Sequence, residues 1–365
     1  MSSYIIQGGN KLKGTVKISG SKNSSLPIIA ATILNGGETT LYNVPNIHDT
    51  KMMFEILKKI GGKVTKKSNK VIIDTSTIDK YDIPEELMRQ MRSSVIFAGA
   101  LIGRFKKATF SYPGGCDIGT RPIDLHLKAF EKLGINIDKN YGKINCICDK
   151  IIGEKIDLDF PSVGATENAI LSSVLAEGIT LITNAAREPE IIDLSNFLNK
   201  MGAKIKGAGT NQIQIEGVKD IKKDISYNIM PDRIEAGTFL CLAAMTNGNL
   251  KLKHIDASHI TPIIYKLEEA GCVLKTKKNE IEIQAPKRLK AVDIKTMPYP
   301  GFPTDMQSIF AVTLTLAKGT SVIVENIFEN RYKYTRRTSK NGSKNKNRRK
   351  NSNNKRSKKI ISFKC

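Results

Sequence analysis

At 365 residues, with 40% hydrophobic and 25% charged side chains, the chain has the composition of a globular protein long enough for two domains. Six cysteines over this length exclude a disulfide scaffold, and no apolar run reaches the length of a membrane span. The net charge of +23 is uneven: residues 336–365 hold thirteen Lys and Arg and no acid, leaving +10 on a body that mixes both signs, which suits small anionic substrates better than nucleic acid.

The N-terminal stretch Met1-Ser-Ser-Tyr-Ile-Ile-Gln lacks a basic region ahead of a long apolar one, so no secretory leader is expected and a cytoplasmic location is. Five small-residue-rich apolar segments follow, each reading as a buried helix. They open at Ser21, Arg92, Ser162, Asp232 and Pro303, stepping by 71, 70, 70 and 71 residues. Sixteen residues after four of these starts stands a glycine (Gly37, Gly178, Gly248, Gly319) that precedes a short alternating strand. A second helix comes next, with a stripe such as Leu194, Phe197, Leu198 and Met201, and it stops at glycine, as at Gly134 and Gly202. Two further alternating strands complete the unit. The pattern predicts an α/β architecture with sheets outside and the small-residue helices packed inside, in closed domains of three units each.

The loops carry the chemistry. Between Ser111 and His126 a Pro-Gly-Gly turn leads to a lone Cys116, then Arg121-Pro122 before a helix expected over Ile123 to Leu133. Pliable glycines, loop amides, Arg121 and a helix N-terminus make an anion site with a thiol above it. Taken alone, a single cysteine on a loop is more simply incidental. Each inner helix opens on polar residues at equivalent positions: Lys22-Asn23, Arg92, Ser162, Asp232-Arg233 and Thr304-Asp305. If those helices bundle, Lys22, Arg92 and Arg121 line a cationic pocket for a phosphate or carboxylate. Asp305 reads equally as an N-terminal cap or as a base. Cys146 and Cys148 alternate along a strand with no histidine nearby, so no metal site is expected, and no cofactor.

Seven motifs occur together and in order: Ser-Gly-Ser-Lys22-Asn23, Pro-Gly-Gly-Cys116-x-Ile-Gly-x-Arg121-Pro, Ser162-Val-Gly-Ala-Thr, Ala-Ala-Arg187-Glu188-Pro-Glu, Pro231-Asp-Arg-Ile-Glu-x-Gly-Thr, Phe302-Pro-Thr-Asp305-Met-Gln and Phe328-Glu-Asn-Arg331. Over residues 1 to about 335 the chain resembles the UDP-N-acetylglucosamine 1-carboxyvinyltransferase family of enolpyruvyl transferases. The resemblance implies an inside-out α/β barrel fold of two domains, one over 21–231 and one over 1–20 plus 232–335, with the active site between them. It implies transfer of the enolpyruvyl group of phosphoenolpyruvate to the 3′-hydroxyl of UDP-N-acetylglucosamine, with release of phosphate, at the start of peptidoglycan precursor synthesis. Cys116 would then be the general acid toward the methylene carbon and Asp305 would accept the hydroxyl proton. Lys22, Arg92 and Arg121 would bind phosphoenolpyruvate, with Arg331 in the same cleft as Asp305. Asn23, the run Pro122, Ile123, Asp124, Leu125 and His126, the run Ser162, Val163 and Gly164, and Ile327 match positions that contact the nucleotide sugar. Phe160-Pro161 stands where some members carry a lysine for the nucleotide.

Two alternatives are weighed against this. The sister enzyme acting on shikimate 3-phosphate should lack the Gly-Gly-Cys loop. A polyanion-binding role for the basic tail would offer charge without readout, because Phe363 is its only aromatic residue. After Thr335 the resemblance stops, and 336–365 is expected to be a disordered basic tail. Written with A/T-leaning codons and shifted by one base, Lys340 to Lys346 spells Lys-Met-Gly-Ala-Lys-Ile, the string of Lys200–Ile205. A frameshift near codon 335 is therefore expected, with the second domain holding two of its three repeats and the chain showing little turnover.

Overall fold

The computed structural model describes residues 5, 7–114 and 122–335, together with the backbone of 344–349 and 359–364. Cys116 and Arg121 lie outside the described residues. The chain divides into a continuous unit spanning 20–230 and a discontinuous unit made of residues up to Ser19 and from Pro231 onward.

Ten α-helices are described: α1 (Lys22–Ala31), α2 (His48–Lys59), α3 (Glu85–Gln90), α4 (Ile96–Phe105), α5 (Asp124–Lys132), α6 (Val163–Ser173), α7 (Pro189–Lys200), α8 (Arg233–Met245), α9 (Thr261–Glu269) and α10 (Gln307–Leu314). They fall into the two classes expected from the sequence. In α1, α4 and α6 apolar and small residues run all round the helix and nearly every side chain is buried. Glycines let these helices touch backbone to backbone. A Cβ on Gly99 would lie 2.5 Å from Asn168 Oδ1, and one on Gly103 would lie 2.7 Å from the Leu171 carbonyl oxygen. The other class, α2, α5, α7 and α9, buries a single stripe, such as Ile191, Leu194, Phe197 and Leu198 of α7. Each helix of this class ends near a left-handed glycine: Gly61, Gly134, Gly202 and Gly271.

One sheet pattern recurs. In the continuous unit, strand Glu38–Tyr42 pairs in parallel with Ile225–Asn228 and antiparallel with Lys70–Asp74, which pairs antiparallel with Lys63–Lys67. Ile179–Thr183 has the same neighbours in Lys155–Asp157, Gln212–Glu216 and Lys204–Lys206. A third sheet joins Lys107–Ser111, Lys143–Ile147 and Asn136–Asn140, and a single parallel bridge from Asp82 to Thr109 stands in for its missing edge strand. The discontinuous unit repeats the pattern twice. Asn249–Lys253 lies between the parallel strand Lys13–Lys17 and the antiparallel Glu280–Gln284, which pairs with Val273–Lys277. Thr320–Glu325 lies between Ile294–Lys295 and Lys359–Lys364, which pairs with Lys344–Arg349.

Three details differ from the expectation. Sequence reasoning missed the parallel edge strand of each sheet, because two to five residues carry too little alternation to announce a strand. Arg92 opens a 3-10 turn (Arg92–Val95) rather than the helix itself, and Pro122 precedes α5 by two residues. The disordered tail is corrected for 344–349 and 359–364. Residues 344–349 are wholly polar and 359–364 carry Ile360, Ile361 and Phe363, and the open edge of Thr320–Glu325 supplies backbone partners that pair them into a sheet. In this unit α8 and α10 are as apolar as the helices of the continuous unit but less covered. Leu242 of α8 is exposed, as is Leu316 just past the end of α10, and Phe239 and Ile309 are half-buried.

Candidate active site

Ser21 caps α1, its Oγ accepting the Ser24 N–H at 3.2 Å, so the first turn presents Lys22 and Asn23 at the positive end of the helix. Lys22 Nζ lies 3.7 Å from Asp49 Oδ2 at the start of α2. Both side chains are partly exposed, and such a pair contributes less than about 1 kcal/mol. Sequence reasoning missed Asp49, which looks like an ordinary acid in a helix first turn.

Arg92, His126 and Gly164, called from three separate motifs, come together in the same unit. Asn168, in the middle of α6, reaches into the junction of the 3-10 turn and α4. Its Oδ1 accepts the Gly99 N–H at 2.9 Å, and its Nδ2 donates to the Val95 carbonyl at 3.1 Å. The amide thus braces the point where the 3-10 turn carrying Arg92 passes into α4. The same Nδ2 lies 2.8 Å from His126 Nδ1. Because Oδ1 is committed to an N–H, the amide orientation is settled, Nδ1 accepts, and the imidazole proton is on Nε2. Gly164 packs against the ring: a Cβ there would lie 3.0 Å from His126 Cε1. Ser162 caps α6, accepting the Ala165 N–H at 3.4 Å, and Val163 is half-buried against the core. Ahead of His126, Pro122 and Asp124 are exposed and Leu125 is half-buried, whereas Ile123 belongs to the core.

Burial, and then the charge of Arg92, push the His126 imidazole down to about 4. The unfolded chain therefore takes up a proton near pH 6.5 that the folded chain refuses until about pH 4. The stability held by neutral His126 is present above pH 6.5 and is lost as the pH falls toward 4, by about 3 kcal/mol in all. His126→Asn, which keeps an acceptor for Asn168, should flatten that slope. Urea midpoints at pH 7 and pH 4.5 check this, and equal losses in both proteins would refute it.

Behind this face lie three carboxylates. Burial, then Glu190 and Glu188, push the Glu167 carboxyl well above the usual carboxylate range.

In the discontinuous unit, Asp305 sits on a 3-10 turn leading into α10, and its Oδ1 accepts from Arg331 Nη2 at 2.8 Å. The guanidinium lies 5.6 Å from the centre of the Phe328 ring. Its buried Nη1 has no hydrogen-bond partner among the described residues and can still donate. Glu325, 5% exposed, holds the arrangement. One oxygen accepts the Ile327 and Phe328 N–H groups at 2.8 and 3.1 Å, and the other accepts Thr304 Oγ1 at 3.0 Å. Asp305 and Ile327 are thus braced by one acid. The sequence held a signal for it: Ser321, Ile323 and Glu325 share the inward face of an alternating strand, where an acid needs partners. The described residues contain no cluster of His, Cys, Asp and Glu that could hold a metal ion. The four described free cysteines, Cys146, Cys148, Cys241 and Cys272, are all buried.

The sequence model of EPSP synthase (3-phosphoshikimate 1-carboxyvinyltransferase) matches residues 6–359. UDP-N-acetylglucosamine 1-carboxyvinyltransferase 2 of Caldanaerobacter subterraneus subsp. tengcongensis is 54% identical over 336 residues, covering 92% of this chain and 80% of that protein. The protein of the same name from Clostridium tetani is 49% identical over 345 residues, covering 94% and 82%. Among solved structures, the enolpyruvyl transferase NikO from Streptomyces tendae superposes with a TM-score of 0.83 at 20% identity, over 98% of this chain and 83% of that one. EPSP synthase from Acinetobacter baumannii gives 0.70 at 18% identity, over 99% and 83%. Those two structures share the inside-out α/β fold, and the sequence matches run over nearly the whole length: the chain belongs to the EPSP synthase family of enolpyruvyl transferases.

Proposed function

We propose that this chain transfers the enolpyruvyl group of phosphoenolpyruvate to the 3′-hydroxyl of UDP-N-acetylglucosamine, releasing inorganic phosphate. The observation that carries the reading is the identity of 45–54% to relatives bearing the corresponding name, over more than nine-tenths of the chain. The Gly-Gly-Cys116 loop supports it.

The chemistry is an addition followed by an elimination. Asp305 takes the proton of the attacking hydroxyl, the oxygen bonds to C2 of phosphoenolpyruvate, and Cys116 gives a proton to the methylene carbon. Loss of a methyl proton then expels phosphate and restores the double bond. Lys22, Arg92 and Arg121 hold the anionic donor. Arg331 Nη1, which has no hydrogen-bond partner among the described residues, steadies negative charge near Asp305. Asn23, His126 and the Ser162–Gly164 turn meet the nucleotide sugar, together with Pro122, Asp124, Leu125 and the backbone of Ile123. Ile327 does so on its own unit. No cofactor is needed, since no electrons are exchanged with an outside carrier. A cytoplasmic location follows from the two substrates. Among the described residues, no helix is long and apolar enough to cross a membrane.

The family model's name favours shikimate 3-phosphate as a second acceptor. The full chain, its mass verified, is incubated with phosphoenolpyruvate and either acceptor, and phosphate release is followed. Release with UDP-N-acetylglucosamine alone is expected, and release with shikimate 3-phosphate alone would reverse the assignment. The same assay tests the expectation of low turnover drawn from the missing third repeat of the second domain.

A further inference from the structure

We propose that Asp193 is a positioning residue that fixes the first turn of α1, and through Lys22 and Asn23 governs the binding of phosphoenolpyruvate; this rests on the transfer reading above. Asp193 lies on α7 and is 8% exposed. Its carboxylate accepts hydrogen bonds from three separate elements. Ser24 Oγ, on α1, donates to Oδ2, the Met230 N–H donates to the same oxygen at 3.2 Å, and Tyr227 OH donates to Oδ1 at 2.7 Å.

These contacts close a ring around the turn that carries Lys22 and Asn23. The Ser24 N–H donates to the Ser21 cap, and the Ser21 N–H donates to the Met230 carbonyl at 2.8 Å. The Met230 N–H returns to Asp193. One acid thus pins the start of α1, the body of α7 and the segment after strand Ile225–Asn228, three stretches far apart in sequence. Burial pushes the Asp193 carboxyl up, and the three donors pull it back. Asp193 and Ser24 are buried, so they act on substrate only through the turn they hold. Its effect is on where Lys22 starts. A displacement of about 1 Å in such a group is enough to cost up to a hundredfold.

The three donors dictate an acceptor, and they also dictate how a substitute behaves. Asparagine can keep its oxygen toward Ser24 and Met230, because the Tyr227 hydroxyl can turn and accept from the amide. Alanine leaves all three donors without an acceptor. The contact to Tyr227 does not involve α1. Its ring packs edge-on against Phe197 at 5.3 Å, so Tyr227→Phe disturbs the same carboxylate without releasing Lys22.

Phosphoenolpyruvate binding to the full chain is measured by calorimetry, and KM wherever turnover is seen, alongside the melting temperature. In Asp193→Ala and Ser24→Ala the dissociation constant should rise roughly tenfold to a hundredfold. In Asp193→Asn it should stay within about threefold of the unaltered chain, a rescue by the conservative variant that follows from the donor geometry. Tyr227→Phe should melt lower while binding as before. Equal affinity in the two Ala variants, or an equal loss in Tyr227→Phe, would overturn the assignment of Asp193 alone. No binding by the unaltered chain would overturn the transfer reading together with it.

Discussion

Asp305→Asn is expected to lower turnover by about a thousandfold while leaving the melting temperature unchanged. A positioned general base contributes roughly a hundredfold to ten-thousandfold, and asparagine cannot take a proton. The substitution is otherwise mild. The Asp305 side chain is 41% exposed, and an amide oxygen can still accept from Arg331 Nη2. Thr304 and Glu325 continue to hold the turn. Phosphate release at saturating substrates, with a melting curve on the same sample, decides the matter. A variant that keeps more than about a tenth of the activity would show that the hydroxyl proton goes elsewhere.

The second large effect is on stability, at Asn168. Asn168→Leu preserves volume but removes an amide that serves Gly99, Val95 and His126 at once. Each buried polar group left without a partner costs about 1–3 kcal/mol, so a loss of about 3–5 kcal/mol is expected for the continuous unit. Leucine would also press on the Gly99 backbone, against which the Asn168 amide already packs. Urea unfolding measures this, and a change below about 1 kcal/mol would mean that Gly99, Val95 and His126 do not depend on the amide.

The same residue shows where reading the sequence succeeds and where it stops. The small apolar helices, their spacing of about seventy residues and the glycines that end the amphipathic helices were legible because each depends on local composition or backbone conformation. Lys22, Arg92 and Asp305 were legible as charges at helix starts, and the structure adds the partner of each turn. The amide of Asn168 entering another helix was not legible, since its hydrogen bonds join positions about seventy residues apart. Asp49 and Asp193 were hidden for a similar reason: acids on amphipathic helices look solvated until the contacts of α1 are known. Glu325 could have been found, as an acid on the inward face of an alternating strand. The strand Lys344–Arg349 could not, because a polar segment that joins the edge of an existing sheet needs no pattern of its own.

The parallel pairing of Lys13–Lys17 with Asn249–Lys253 has a consequence for synthesis. The first strand to leave the ribosome belongs to a sheet whose central strand is made only after the whole continuous unit. At roughly 5–20 residues per second that wait is on the order of ten seconds or more. The continuous unit can close during this time, while the early strand stays unpaired with both edges open. Its sequence suits the delay. Lys11, Lys13 and Lys17 flank Leu12 and Val16, and charge of this kind discourages a waiting strand from pairing with the wrong chain.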